Sequence, residues 1–180
     1  MCKKLFVVSG PSGTGIGEIV TAVFQRRQDV CAVTPVTARK MKAGEKDGVG
    51  FFFFDLEQWS AKKEAGDLLE TTEFAGNDYG TSRALVEKAL EAGKHVLLNL
   101  SVERAAQVKR NMPQAVCAYL EPSEAVLKER IGKISRNGLE ASVRMEEAEK
   151  QRALSGFCDV HIPTDNLEAA AEELLALMDR

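Results

Sequence analysis

Short apolar runs alternate along this chain with longer stretches in which apolar residues recur every three or four positions. Lys4-Leu5-Phe6-Val7-Val8-Ser9 is an apolar run closed by glycines, the pattern of a buried parallel strand. Residues 16–27 follow with Ile19, Val20, Val23 and Phe24 at helical spacing, so a glycine-rich turn is predicted between a strand and a helix. Further buried strands are predicted at 95–100 and 115–120, with a short one at 160–162. Helical periodicity predicts helices at 82–92, 102–112, 123–131, 139–154 and 167–178. Strands alternating with helices specify an α/β fold with an open, mostly parallel sheet.

Two stretches break the rhythm. Residues 34–80 carry turns rich in Gly, Lys and Thr, the run Phe51-Phe52-Phe53-Phe54, and a single helical pattern at 55–65. This predicts a small inserted lobe with short antiparallel strands. Residues 132–138, polar and cationic, predict a mobile connection between helices.

Composition narrows the function classes. The chain has 180 residues, enough for one compact domain, and a formal charge of −3, which gives no global attraction to nucleic acid or anionic membranes. The phenylalanine run is too short to span a bilayer, and Gly10 cuts the first apolar segment below the length of a secretory core, so a cytoplasmic protein is expected. Cys2, Cys31, Cys117 and Cys158 are scattered without metal-ligand spacing, which predicts reduced, structural thiols and no metal site. His95 and His161 fall at predicted strand edges, where structural roles are expected.

The chemistry begins at Gly10-Pro11-Ser12-Gly13-Thr14-Gly15-Ile16-Gly17, which nearly matches the phosphate-binding pattern G-x-x-x-x-G-K-[ST]. Such loops turn successive backbone N–H groups inward, and the following helix adds positive potential, so both favour phosphate. Ile16 stands in the lysine position and Gly17 in that of the hydroxyl that holds magnesium. Losing one well-aimed donor typically costs about 10²–10³ in rate. Backbone amides can still hold an anion, so binding tolerates these losses better than catalysis does.

From this loop onward the chain resembles the guanylate kinases. The segment from Leu5 to Gly15 is similar to their first strand and loop. Thr37-Ala38-Arg39-Lys40-Met41-Lys42-Ala43-Gly44-Glu45-Lys46-Asp47-Gly48 is similar to T-T-R-x-P-R-x-G-E-x-x-G. The segment from Leu69 to Ser82 is similar to L-E-x-x-x-F-x-G-N-x-Y-G-T-S. Ala106-Gln107-Val108-Lys109 and Thr164-Asp165-Asn166-Leu167 also fit, so the resemblance spans essentially the whole chain. It implies a P-loop kinase fold in one domain. The core would be 1–33, 84–125 and 150–180, with a GMP-binding lobe at 34–83 and a short lid at 126–149.

Position by position, the resemblance implies phosphate contacts from Arg39, Lys42 and Tyr79. Phe51 stands where a tyrosine contacts the GMP phosphate, keeping the ring and losing a hydrogen bond. Glu70 and Thr81 match groups that read the guanine edge; a carboxylate accepting from a purine N–H and amino pair suits guanine and rejects adenine. The phosphate loop would comprise Gly10, Ser12, Gly13, Thr14, Gly15, Ile16 and Gly17. Arg130 and Arg144 match lid arginines that reach the transferring phosphoryl group, and Lys133 falls near a third, with Ile134 the alternative match.

The departures gather on the catalytic side. The family's D-x-D-x-Q-G is here Asn99-Leu100-Ser101-Val102-Glu103-Arg104, so Asn99 and Ser101 replace acidic residues, Ser101 at a guanine-reading position. Thr164 stands where an asparagine meets the nucleotide base. ATP and magnesium are the implied cofactors, and the missing lysine and hydroxyl count against both. The expected function is binding of GMP or a related purine monophosphate with phosphoryl transfer weakened or lost. The alternatives are an active guanylate kinase with a compensating cation and a phosphopeptide-binding module built on Arg39, Lys42 and Tyr79.

Overall fold

In the computed structural model, which describes residues 3–180, the first apolar run is β1 (Leu5–Ser9), the middle strand of a five-stranded sheet. Its neighbours are β7 (His95–Asn99) and β8 (Val116–Glu121). β2 (Val30–Cys31) and β9 (Val160–Pro163) lie outermost, and every pairing is parallel. The continuous apolar sequence of β1 has a simple cause: both of its faces are covered. Phe6 and Val8 pack with Ile19 and Val23 of α1 (Ile16–Arg26) and Ala171 and Leu174 of α7 (Leu167–Met178). Leu5 and Val7 point the other way, onto Val86 of α3 (Arg83–Glu91) and Ala105 and Val108 of α4 (Val102–Asn111).

The stretch that broke the rhythm forms a second, four-stranded sheet. In spatial order it runs β4 (Phe52–Phe53), β3 (Val36–Thr37), β6 (Asn77–Ser82) and β5 (Leu68–Phe74). The predicted antiparallel character holds for β3–β6 and β5–β6, whereas β3 and β4 pair in parallel. Its core is Val36, Trp59 and Leu68, with Trp59 supplied by α2 (Leu56–Glu64). That helix starts where Asp55 and Gln58 satisfy each other's backbone N–H groups in a capping box.

β5 is an edge strand, and α4 covers part of its open side. Gln107 accepts from the Thr71 N–H and donates to the Thr71 carbonyl, both at 3.0 Å, and Asn111 donates to the Leu69 carbonyl at 2.9 Å. Arg104, Gln107 and Asn111 recur at helical spacing, so one face of α4 meets β5.

Two expectations are corrected. The supposed connection at 132–138 is largely helical: α5 (Glu124–Ile134) runs through Gly132, and residues 135–137 alone join it to α6 (Gly138–Leu154). Burial of Ile131 and Leu127 against Ala148 outweighs the roughly 1 kcal/mol cost of a helical glycine. The thiols are not all reduced either. Cys117 and Cys158 are joined, with Cα atoms 4.7 Å apart, because the turn before β9 returns the chain to β8. Cys31 is a half-buried free thiol whose pKa is raised by burial, and Cys2 lies outside the described residues.

His95 is buried beside Phe6 and accepts the Lys4 N–H, and burial lowers its pKa. His161 is exposed and pairs with Glu121. Among the described residues, no helix is long and apolar enough to cross a membrane.

Candidate functional site

The glycine loop leaves the carboxyl end of β1, from which the chain's later strands add on both sides of the sheet. Ligands of open α/β sheets bind at such a point. Two glycines are needed for steric reasons. A Cβ at Gly10 would lie 2.8 Å from the Leu120 carbonyl oxygen. Gly15, the residue before α1, has φ 81° and backs onto the side chain of Leu167. Thr14 is buried, its hydroxyl donating to the Pro11 carbonyl at 2.9 Å, which closes the turn from within. The N–H groups of Gly13, Gly15, Ile16 and Gly17 meet no acceptor among the described residues. They are the orphan donors of a helix start and of the loop that leads to it, suited to an anion.

The side chains that would add charge to this cradle are arranged differently. Ile16 is half-buried against the apolar cluster beneath α1 and α7, so it contributes packing. Gly17 is exposed, with open space where a Cβ would stand. The residues present therefore suit a phosphate on backbone donors but offer magnesium no hydroxyl at position 17 and, with Asn99 at the end of β7, no carboxylate there. Among the described residues no cluster of His, Cys, Asp and Glu could hold a metal ion.

Three cations were expected near the loop. Arg144 of α6 reaches it: Nη1 donates to the Ser12 hydroxyl at 2.8 Å while Glu140 holds the other side of the guanidinium. Arg130 of α5 binds the loop from its carbonyl side, donating to Thr14 at 3.2 Å and to Thr164 and Asp165 at 2.9 and 3.1 Å. It thus ties the loop to the β9–α7 connection. Lys133 is not brought to the loop; it is exposed and pairs with Glu129 one turn earlier on α5. Thr164 is buried with its hydroxyl unpartnered.

The lobe and the end of β7 enclose a cavity of about 590 Å³, whose lining includes Phe51, Tyr79, Thr81, Ser101 and Arg104. Beside it, Arg39 is held three ways. Its guanidinium pairs in a fork with Glu45 at 2.8 and 2.9 Å, donates to the Lys40 carbonyl, and lies over the rings of Phe51 and Phe53 at 5.6 and 5.3 Å. Phe51 in turn packs on Tyr79, with ring centroids 5.7 Å apart. So the structure brings Arg39, Phe51 and Tyr79 together. Lys42 is exposed and contributes its backbone N–H to Glu45.

Arg39 and the Lys42 N–H hold the Glu45 carboxyl down to about 2. A depressed carboxylate stabilises the fold above its ordinary value of 4.5, and that stability is lost as pH falls towards 2. Urea midpoints measured from pH 5 to pH 2 should therefore fall less steeply in Glu45→Gln than in the wild type. Parallel curves would show that the pair does not stabilise this turn.

Next to Thr81 of the lining, Glu70 is fully buried. Its Oε1 accepts from the Thr81 hydroxyl at 2.6 Å and from Arg104 Nη2 at 2.9 Å, and its Oε2 accepts from Arg104 Nε at 2.5 Å. Sequence reasoning brought Glu70 and Thr81 together but missed Arg104. The signal was an arginine at the position where the family pattern has glycine, on the same helical face as Gln107.

Comparison with known proteins supplies the wider context. The family profile described as guanylate kinase matches residues 2–180. A guanylate kinase from Thermobifida fusca is 36% identical over 178 residues, covering 98% of this chain and 91% of that protein. One from Enterococcus faecalis is 37% identical over 175 residues, covering 94% and 85%. The crystal structure of guanylate kinase from Anaplasma phagocytophilum superposes with a TM-score of 0.66 at 21% identity, over 99% of this chain and 85% of that one, a likeness of fold.

Proposed function

Because the chain belongs to the guanylate kinase family, we propose that it binds a purine nucleoside monophosphate, with GMP the first ligand to test, and that its ATP-dependent phosphoryl transfer is weak or lost. The observation that carries this is the contrast between the two ends of the site. At the lobe, Phe51 and Tyr79 border a cavity sized for a small ligand, and the fixed Arg39 guanidinium lies over the Phe51 ring. At the loop, the backbone donors remain, but position 16 is an apolar side chain packed against the core and position 17 carries no side chain.

In this scheme Arg39 and Tyr79 hold the monophosphate and residues 34–83 form the acceptor lobe. ATP, when bound, would supply the phosphoryl group; the N–H groups of Gly13, Gly15, Ile16 and Gly17 and the Arg144 guanidinium would hold its phosphates. Magnesium has no fitting side chain here, and no step is assigned to it.

The test pairs calorimetric titration of GMP with an assay of ATP-dependent GDP formation. Saturable GMP binding with turnover far below the ordinary kinase range of about 1–100 s⁻¹ is the expected result. Turnover within that range would overturn the loss of catalysis while leaving the binding site in place. Phosphoryl transfer with a substitute cation is favoured by one observation, the reach of Arg144 Nη1 to Ser12 in the loop.

A further inference from the structure

The buried carboxylate of Glu70 is bound by Thr81 and Arg104, two residues lining a cavity that, on the reading just proposed, takes a purine base. A carboxylate in that position would select a base edge made of N–H donors. Here it is already engaged. Arg104 forks across both of its oxygens, Thr81 donates to one of them, and no part of the Glu70 side chain is exposed. Arg104 keeps a quarter of its side-chain surface exposed and itself lines the cavity. What the wall presents to a base is therefore not an acceptor pair but the remaining N–H groups of an arginine, which accepts nothing. Ser101 lies on the same lining, a neutral hydroxyl residue where a second carboxylate would have added charged acceptors.

We propose that Arg104 determines base specificity in this pocket, reversing the polarity of the wall so that it favours a purine monophosphate bearing an oxygen at C2 over one bearing an amino group. An amino group at C2 brings N–H donors against N–H donors, and buried donors left without acceptors are costly. A C2 oxygen accepts from the guanidinium in a charge-assisted hydrogen bond. To bind GMP in the donor-reading mode, the protein must first withdraw Arg104 from Glu70, and that cost appears as weaker affinity. The proposal rests on the purine-monophosphate reading of the site and adds to it the identity of the base.

GMP, IMP and XMP share the C6 oxygen and carry amino, hydrogen and oxygen at C2, the oxygen of XMP bringing with it a proton or a negative charge at N3. Calorimetric titration of the wild-type protein with each should rank XMP tightest, about tenfold or more over GMP, with IMP between them. In Arg104→Ala the order should reverse, GMP gaining about tenfold and XMP losing its advantage. The wild-type ranking needs no variant, so it decides the matter even if Arg104→Ala folds poorly. GMP binding the wild type as tightly as XMP, or an unchanged ranking in a folded Arg104→Ala, overturns the role of Arg104 while leaving a purine-monophosphate site intact. Failure of all three to bind either protein overturns both.

Discussion

Replacing Ile16 with lysine and Gly17 with serine raises ATP-dependent phosphorylation of a bound purine monophosphate by about two orders of magnitude or more. The expectation follows from what the loop has and lacks. Its backbone donors are unpaired, its glycine geometry is retained, and Arg130 holds its carbonyl side in place. Phosphoryl transfer depends mainly on positioning and on charge aimed at the transferring group, so restoring a cation and a metal-binding hydroxyl acts on the limiting deficit.

The scaffold tolerates both changes. A Cβ at Gly17 meets nothing within 4 Å. A lysine at position 16 covers with its methylene stem the same apolar surface that Ile16 covers, and its ammonium extends past it. A coupled assay on the single and double variants, with GMP and XMP as acceptors, measures the gain. If the wild type already turns over at ordinary rates and the double variant gains nothing, Arg144 supplies the missing charge.

Arg39→Ala weakens purine monophosphate binding by about tenfold to hundredfold, the second large effect. A guanidinium donating charge-assisted hydrogen bonds to phosphate is worth about 1.5–3 kcal/mol. The Arg39 guanidinium is already oriented by Glu45, the Lys40 carbonyl and two rings, so little freedom is lost on binding. Lys42 does not replace it, because its side chain stands exposed while only its backbone joins the Glu45 turn. Arg39→Lys should recover only part of the loss, since an ammonium cannot fork. Titration of both variants decides this, with circular dichroism confirming the fold. Unchanged affinity in a folded Arg39→Ala would move the phosphate elsewhere.

Much of this architecture was legible in the sequence where burial is one-dimensional. β1 reads as a strand because both of its faces are covered and every residue is apolar or small. The α1 stripe of Ile19 and Val23 reads as a helix because only one face is covered. The lobe was harder. The parallel pairing of β3 with β4 depends on two-residue strands whose register is fixed by Trp59 and Val36 in three dimensions, not by alternation. The continuation of α5 through Gly132 was hidden because the apolar residues that hold it find their partner on α6.

In the site, Arg39, Glu70 and Tyr79 could be placed from motifs. The Arg104–Glu70 pair could not, since the two residues lie 34 positions apart and nothing in spacing signals that a helix start will meet an edge strand. The same distance problem concealed the link between Cys117 and Cys158, 41 positions apart.

The helix face that meets β5 divides its work between residues. Gln107 and Asn111 bind backbone atoms of the edge strand and would do so whatever base occupied the cavity; of the three, Arg104 alone lines it. Attachment of lobe to core and choice of ligand are thus encoded by different letters of one helix. A lineage or an engineer can rewrite the choice at a single codon while the joint that holds the two sheets together is inherited unchanged.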